Sequence, residues 1–142
     1  MITVQRSVVY LVASLVLASI LAACGPTGPT TINVSLAERM EILLSQPSAP
    51  AGTVIFHITY DATDMAHDFA IVQTDLNPGS LPLNENGDVD EEQLSVISKI
   101  EGMEPGDSQD LQLTLEAGNY VIFCNGPTHY RRAMYVGFTV TP

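Results

Sequence analysis

Near its C-terminus the chain places a thiol, an imidazole and a thioether at even intervals, Cys124, His129 and Met134, in a Cys-x₄-His-x₄-Met pattern. Soft sulfur donors beside an imidazole suit copper. Two imidazoles, a thiolate and a long, weak methionine bond form the arrangement that metal uses to exchange single electrons. The loop supplies one histidine, so a second must come from elsewhere. His67, in Met65-Ala-His-Asp-Phe-Ala-Ile-Val72, is the candidate. Separately, each residue reads as ordinary: a small buried hydrophobe, a satisfied histidine, a core methionine. Their joint spacing between two apolar runs favours one metal centre.

Four side chains so far apart need a framework that returns them to one pole. Ile32, Val34 and Leu36 alternate with polar residues, the period of a half-buried strand. Met40 to Leu44 is a second apolar stretch, and residues 46–52, rich in Pro and Gly, break it. Thr53 to Tyr60 reads as a strand with Val54, Phe56, Ile58 and Tyr60 on one face and His57 on the other. Asp61 to Asp64 turns the chain, and His67 to Thr74 forms the next strand. Val96 to Ile100, Leu111 to Leu115, Tyr120 to Cys124 and Met134 to Thr141 complete the set. Seven to eight short strands at regular spacing predict an all-β Greek-key sandwich or barrel. If Cys124 ends one strand and Met134 begins its partner, the loop between them caps one end. His67, at the start of a strand, can project at the same pole.

Leu76 to Glu92 differs in character, with two prolines, two glycines and five acids. It is expected to be a solvated loop with one helical turn near Asp90 to Leu94. Asn84 to Asp90 lacks the full twelve-residue loop of a calcium site.

The N-terminus carries an address. Arg6 is the lone charge before an apolar run from Val8 to Ala23, and the run ends in Leu21-Ala22-Ala23-Cys24. This describes a secretory signal over residues 1–23, and the cysteine after Leu-Ala-Ala resembles a bacterial lipobox. The competing reading is an uncleaved anchor. Residues 24–30 are then a lipidated Cys24 and a flexible linker, and residues 31–142 the folded domain. Both readings place the domain outside the cytoplasm at a membrane, on the periplasmic face or the cell exterior. With lipid on Cys24, Cys124 is a lone thiol in an oxidising compartment, where a metal holding it as thiolate explains its presence. The formal charge is −11, and loss of Arg6 with the leader leaves four basic residues against sixteen acidic ones. Nucleic acid is a poor partner for such a chain.

Pro50-Ala-Gly-Thr-Val-Ile-Phe56, His67-Asp-Phe69, Thr74-Asp-Leu76 and Tyr120-Val-Ile-Phe-Cys124 with its x₄, x₄ spacing together resemble the blue (type 1) copper proteins, the cupredoxins, and most the sulfocyanin-like and rusticyanin-like group. The resemblance implies a Greek-key sandwich with one mononuclear copper bound by His67, Cys124 and His129, with Met134 axial. It departs at Thr128, where members of the group often have Gly before the loop histidine, and at Ala133, where they often have Gly before the axial methionine. Glycine there would permit a positive φ, which β-branched Thr128 resists.

Asp68 and Asn125 directly follow ligand candidates and are read either as groups tying the two ligand segments together or as a surface Asp and a turn Asn. His129 is expected at the solvent edge, where electrons leave, with Pro127 and Tyr130 as an apolar rim. Arg131 and Arg132 either orient a redox partner or merely offset the acidic surface. The expected activity is that of a membrane-tethered, monomeric, non-enzymatic carrier of single electrons between redox proteins. The alternative is a copper chaperone or scavenger using the same ligands. A copper nitrite reductase would need three further histidines, and a binuclear centre a second loop cysteine.

Overall fold

The computed structural model describes residues 28–61, 63 and 65–142. The leader, Cys24 and most of the linker lie outside the described residues, as does part of the turn after Asp61. Among the described residues, nine strands form two sheets. The four-stranded sheet runs β2 (Glu41–Leu44), β1 (Thr30–Ala37), β4 (Gly52–Tyr60), β7 (Ser108–Leu115). The five-stranded sheet runs β3 (Ser48–Pro50), β9 (Tyr135–Thr141), β8 (Gly118–Phe123), β5 (His67–Gln73), β6 (Val96–Met103). The architecture is the expected all-β sandwich, with one strand more than the upper expectation. The addition is β3, inside the segment read as a break. Its three residues pair in parallel with Thr139, Val140 and Thr141 at the sheet edge, where proline is tolerated.

Alternation builds the core. Ile32, Val34 and Leu36 on β1, and Val54, Phe56, Ile58 and Tyr60 on β4, all point inward. They meet Phe69, Ile71, Tyr120, Ile122 and Phe138 from the other sheet. Phe56 packs its ring 5.5 Å from both Phe69 and Phe138. Burying each such side chain contributes about 1.5–3 kcal/mol. His57 lies on the opposite face of β4, as expected, with Nδ1 2.5 Å from the Asp110 carboxylate on β7.

The five-stranded sheet is covered on its outer face too. Ala70, Val72, Val121 and Phe123 pack there against Leu81, Val89 and Tyr130. The segment from Leu76 to Glu92 is therefore not the solvated excursion expected. Glu85 and Glu92 are exposed, but Asp88, Asp90 and Glu91 are half-buried, and Leu81 and Val89 are buried anchors on β5 and β8. The helical turn is present as a 3₁₀ turn, Glu91–Gln93. This cover explains why β5 and β8 are apolar on both faces, and it presses on the loop that follows β8.

Candidate metal centre

Strand register brings the donors together. β5 and β8 are antiparallel with Ala70 opposite Phe123, so β5 starts at the pole where β8 ends. β8 and β9 are antiparallel with Phe123 opposite Tyr135. One step further, Cys124 N–H donates to the Met134 carbonyl at 3.1 Å. Cys124 shares the inward parity of Tyr120 and Ile122, and His67 that of Phe69 and Ile71.

At that pole three donor atoms converge. Cys124 Sγ lies 3.2 Å from His129 Nδ1 and 3.9 Å from His67 Nδ1, and the two nitrogens are 3.1 Å apart. A point equidistant from all three lies about 2 Å from each, the length of a metal–imidazole bond. His67 and Cys124 are fully buried and His129 is 3% exposed. This closed pair of imidazoles and thiol is the only group of three or more such donors among the described residues. The set fits a single type 1 copper. Met134 is also fully buried, and its N–H donates to the His129 carbonyl at 3.1 Å. Its backbone is thus bonded to both loop donors.

The sulfur is met by backbone amides. The ladder between β5 and β6 shifts register between His67 and Phe69. Such a bulge takes one amide out of the ladder and redirects it. Asp68 N–H accordingly donates to Cys124 Sγ at 3.1 Å, and Gly126 N–H donates to the same sulfur. Burial nevertheless dominates and pushes the Cys124 thiol up to about 11, with the two amide bonds pulling the other way. A cation is therefore needed to hold the thiolate at neutral pH.

The nine-residue loop is shaped by unusual backbone. Thr128 has φ 68° and Ala133 φ 70°, so both glycine-like positions keep the left-handed conformation without glycine. Gly126 is required for another reason. A Cβ there would come within 2.8 Å of His129 Nδ1.

Asp68 and Asn125 divide their work. The Asp68 amide joins the two ligand segments, while its carboxylate accepts from Gly102 N–H at 2.9 Å. The Asn125 side chain does not reach the His67 segment. Its Oδ1 accepts from Val89 N–H at 2.8 Å, and its Nδ2 donates to the Val89 carbonyl at 3.1 Å and to Glu91. Asp88 adds a bond to Thr128 N–H at 3.1 Å. The acidic segment thus braces the ligand loop.

The expected rim is arranged differently. Tyr130 is buried, donating to the Pro78 carbonyl at 2.6 Å and accepting from Leu81 N–H at 2.9 Å. It fastens the acidic segment and borders no exit. The two arginines diverge. Arg131 lies against Gly87, and Arg132 reaches Met40 Sδ at 3.7 Å. His129 is only 3% exposed rather than at an open edge, with the Met65 thioether against it, Sδ 3.0 Å from Nε2. Met65, set aside in the sequence because it lacks the spacing of Met134, and Tyr60, read only as a strand residue, had no expected role at the site. Their one signal was an unpaired apolar residue in the polar turn two positions before His67.

No family model and no curated protein matches the chain. Solved structures do match in fold. Reduced auracyanin from Roseiflexus castenholzii is 22% identical, covering 80% of this chain and 98% of its own, with a TM-score of 0.61. Auracyanin A, a "blue" copper protein from Chloroflexus aurantiacus, is 19% identical, covering 80% and 100%, with a TM-score of 0.56. Rusticyanin from Thiobacillus ferrooxidans is 16% identical, covering 80% and 77%, with a TM-score of 0.56. The fold of this chain is that of the cupredoxins.

Proposed function

We propose that this chain is a type 1 (blue) copper protein that carries single electrons. The observation that carries the reading is the buried convergence of Cys124 Sγ with the Nδ1 atoms of His67 and His129. When bound, copper supplies a one-electron couple that none of these side chains has alone. His67, Cys124 and His129 would hold the ion, with the buried Met134 thioether as a further, weaker sulfur donor. The Asp68 and Gly126 amides stabilise the thiolate and fix its direction. The bracing by Asn125 and Asp88 keeps the loop from rearranging between oxidation states. Enclosure favours a carrier over a chaperone or scavenger, which needs donors open to exchange.

The domain is held outside the cytoplasm by lipid on Cys24. No helix among the described residues is long and apolar enough to cross a membrane, so a tether would have to come from the N-terminal segment. Redox proteins are its partners. Reductive titration of the copper-loaded full chain tests the reading. A visible band bleached by one electron per ion and restored by an oxidant is the expected result. Irreversible loss of colour, or release of the ion on reduction, would favour copper handling instead.

A further inference from the structure

Met65 stands apart from the other methionines of the described residues. It is 45% exposed, whereas Met40, Met103 and Met134 are 7% exposed or less. It is also held in place. The buried Tyr60 hydroxyl donates to the Met65 carbonyl and accepts from the Met65 N–H at 3.2 Å. The same phenol ring packs 4.9 Å from the His67 imidazole. A groove of about 570 Å³, lined by Glu38, Arg39, Met40, Met65 and Arg132, opens beside the thioether. A thioether has no proton to give, so the contact to His129 requires Nε2 to carry the hydrogen and donate it. Nδ1 is then left with its lone pair directed at Cys124 and His67.

From this geometry we propose that Met65 is a selective site of oxidation by hydroperoxides, and that its oxidation is read by the metal centre through His129. The sulfur attacks the distal peroxide oxygen. The O–O bond breaks, an S=O bond forms, and water or the corresponding alcohol leaves. The thioether loses two electrons and the peroxide gains them. Sulfoxide oxygen is a stronger acceptor than thioether sulfur. It draws the Nε2 proton more firmly and makes the far nitrogen a better donor, as partners on the second nitrogen of a ligating histidine do. Better donation favours the higher charge of the oxidised ion, so the potential falls. A carrier built in this way reports peroxide exposure as a change in driving force, and methionine sulfoxide reductase chemistry restores it.

The coupling to potential rests on the copper reading above; the selectivity of oxidation and its effect on the imidazole do not. The test exposes the full chain, with and without copper, to graded hydrogen peroxide. Peptide mapping follows oxygen uptake at each methionine, ¹⁵N spectra follow His129 Nε2, and voltammetry follows the loaded form. Met65 gains one oxygen at least tenfold faster than Met40, Met103 or Met134. The Nε2 resonance moves in step in the copper-free chain, and the potential of the loaded chain drops in step. Met65→Leu abolishes all three responses. Tyr60→Phe keeps the thioether but frees its backbone, so oxidation persists while the two His129-linked responses shrink. Oxidation of Met65 no faster than the buried methionines, or a Met65 sulfoxide that leaves Nε2 unmoved, overturns the proposal. A moved Nε2 in a chain that takes up no copper overturns the function instead.

Discussion

A thiol shut away from water resists losing its proton, and at Cys124 that resistance has two measurable consequences. The folded chain holds the proton up to about 11, against an ordinary value of 9.0. The raised value means that folding favours the protonated form. This stabilisation is complete below pH 9 and is lost as pH rises toward 11. Two pH units correspond to roughly 3 kcal/mol. Urea denaturation of the copper-free chain should therefore show a loss of about 2–3 kcal/mol across that window, and Cys124→Ala should flatten that part of the profile. An unchanged slope in the variant would place the titration elsewhere. Metal uptake, for its part, should release the thiol proton and strengthen as pH rises from neutrality. Thr128 is the second residue-scale test. A β-branched side chain at φ 68° is a strained outlier costing about 1–3 kcal/mol. Thr128→Gly should raise stability by about 1 kcal/mol, because relief in the folded state exceeds the entropy that glycine adds to the unfolded chain. A lower melting temperature would show that the Thr128 side chain contributes more than its backbone costs.

Among the elements, the acidic segment and the ligand loop behave as one unit. Leu81 and Val89 anchor the segment, and Asn125 clasps both the N–H and the carbonyl of Val89. Asn125→Ala leaves those two groups without that partner in a buried setting, which costs about 1–3 kcal/mol. Amide exchange over residues 81–93 should accelerate selectively, with the core strands unaffected. Uniform acceleration, or none, would show that the clasp is not the local restraint. This segment also marks where the sequence stopped being readable. Leu81 and Val89 are single apolar residues in polar surroundings, so no periodicity announces that they are buried. β3 hides for a similar reason: Ser-Ala-Pro has no strand signature, and its pairing with β9 spans most of the chain. By contrast β1, β4 and β7 were legible because one buried face enforces alternation, and β5 because a short apolar run is bounded by polar turns. The donors Cys124, His129 and His67 were legible from residue type and position. The Asp68 amide was placed at the sulfur by a bulge in the ladder, which no side-chain pattern encodes.

At the scale of the molecule, charge is distributed unevenly around one pole. The chain carries sixteen acids, yet Arg39 and Arg132 line the groove beside Met65. Arg131 lies away from that groove, with its guanidinium near Gly87 of the acidic segment. If charge steers a redox partner, the groove side of the pole, where Arg39 and Arg132 outnumber Glu38, is where the effect is expected. Hexacyanoferrate, an anionic one-electron oxidant, provides the check. Arg132→Glu should slow its reaction with the reduced, copper-loaded chain severalfold at low salt, and Arg131→Glu should do less. Equal rates for wild type and Arg132→Glu would remove the groove from the route.

The centre itself is tested most directly by the visible absorption of the chain after one equivalent of Cu(II). An intense orange-red band, present in wild type and absent in Cys124→Ser, is the predicted result, since it requires copper bonded to that sulfur. A wild-type chain that stays colourless, or a variant that keeps the band, would contradict the account.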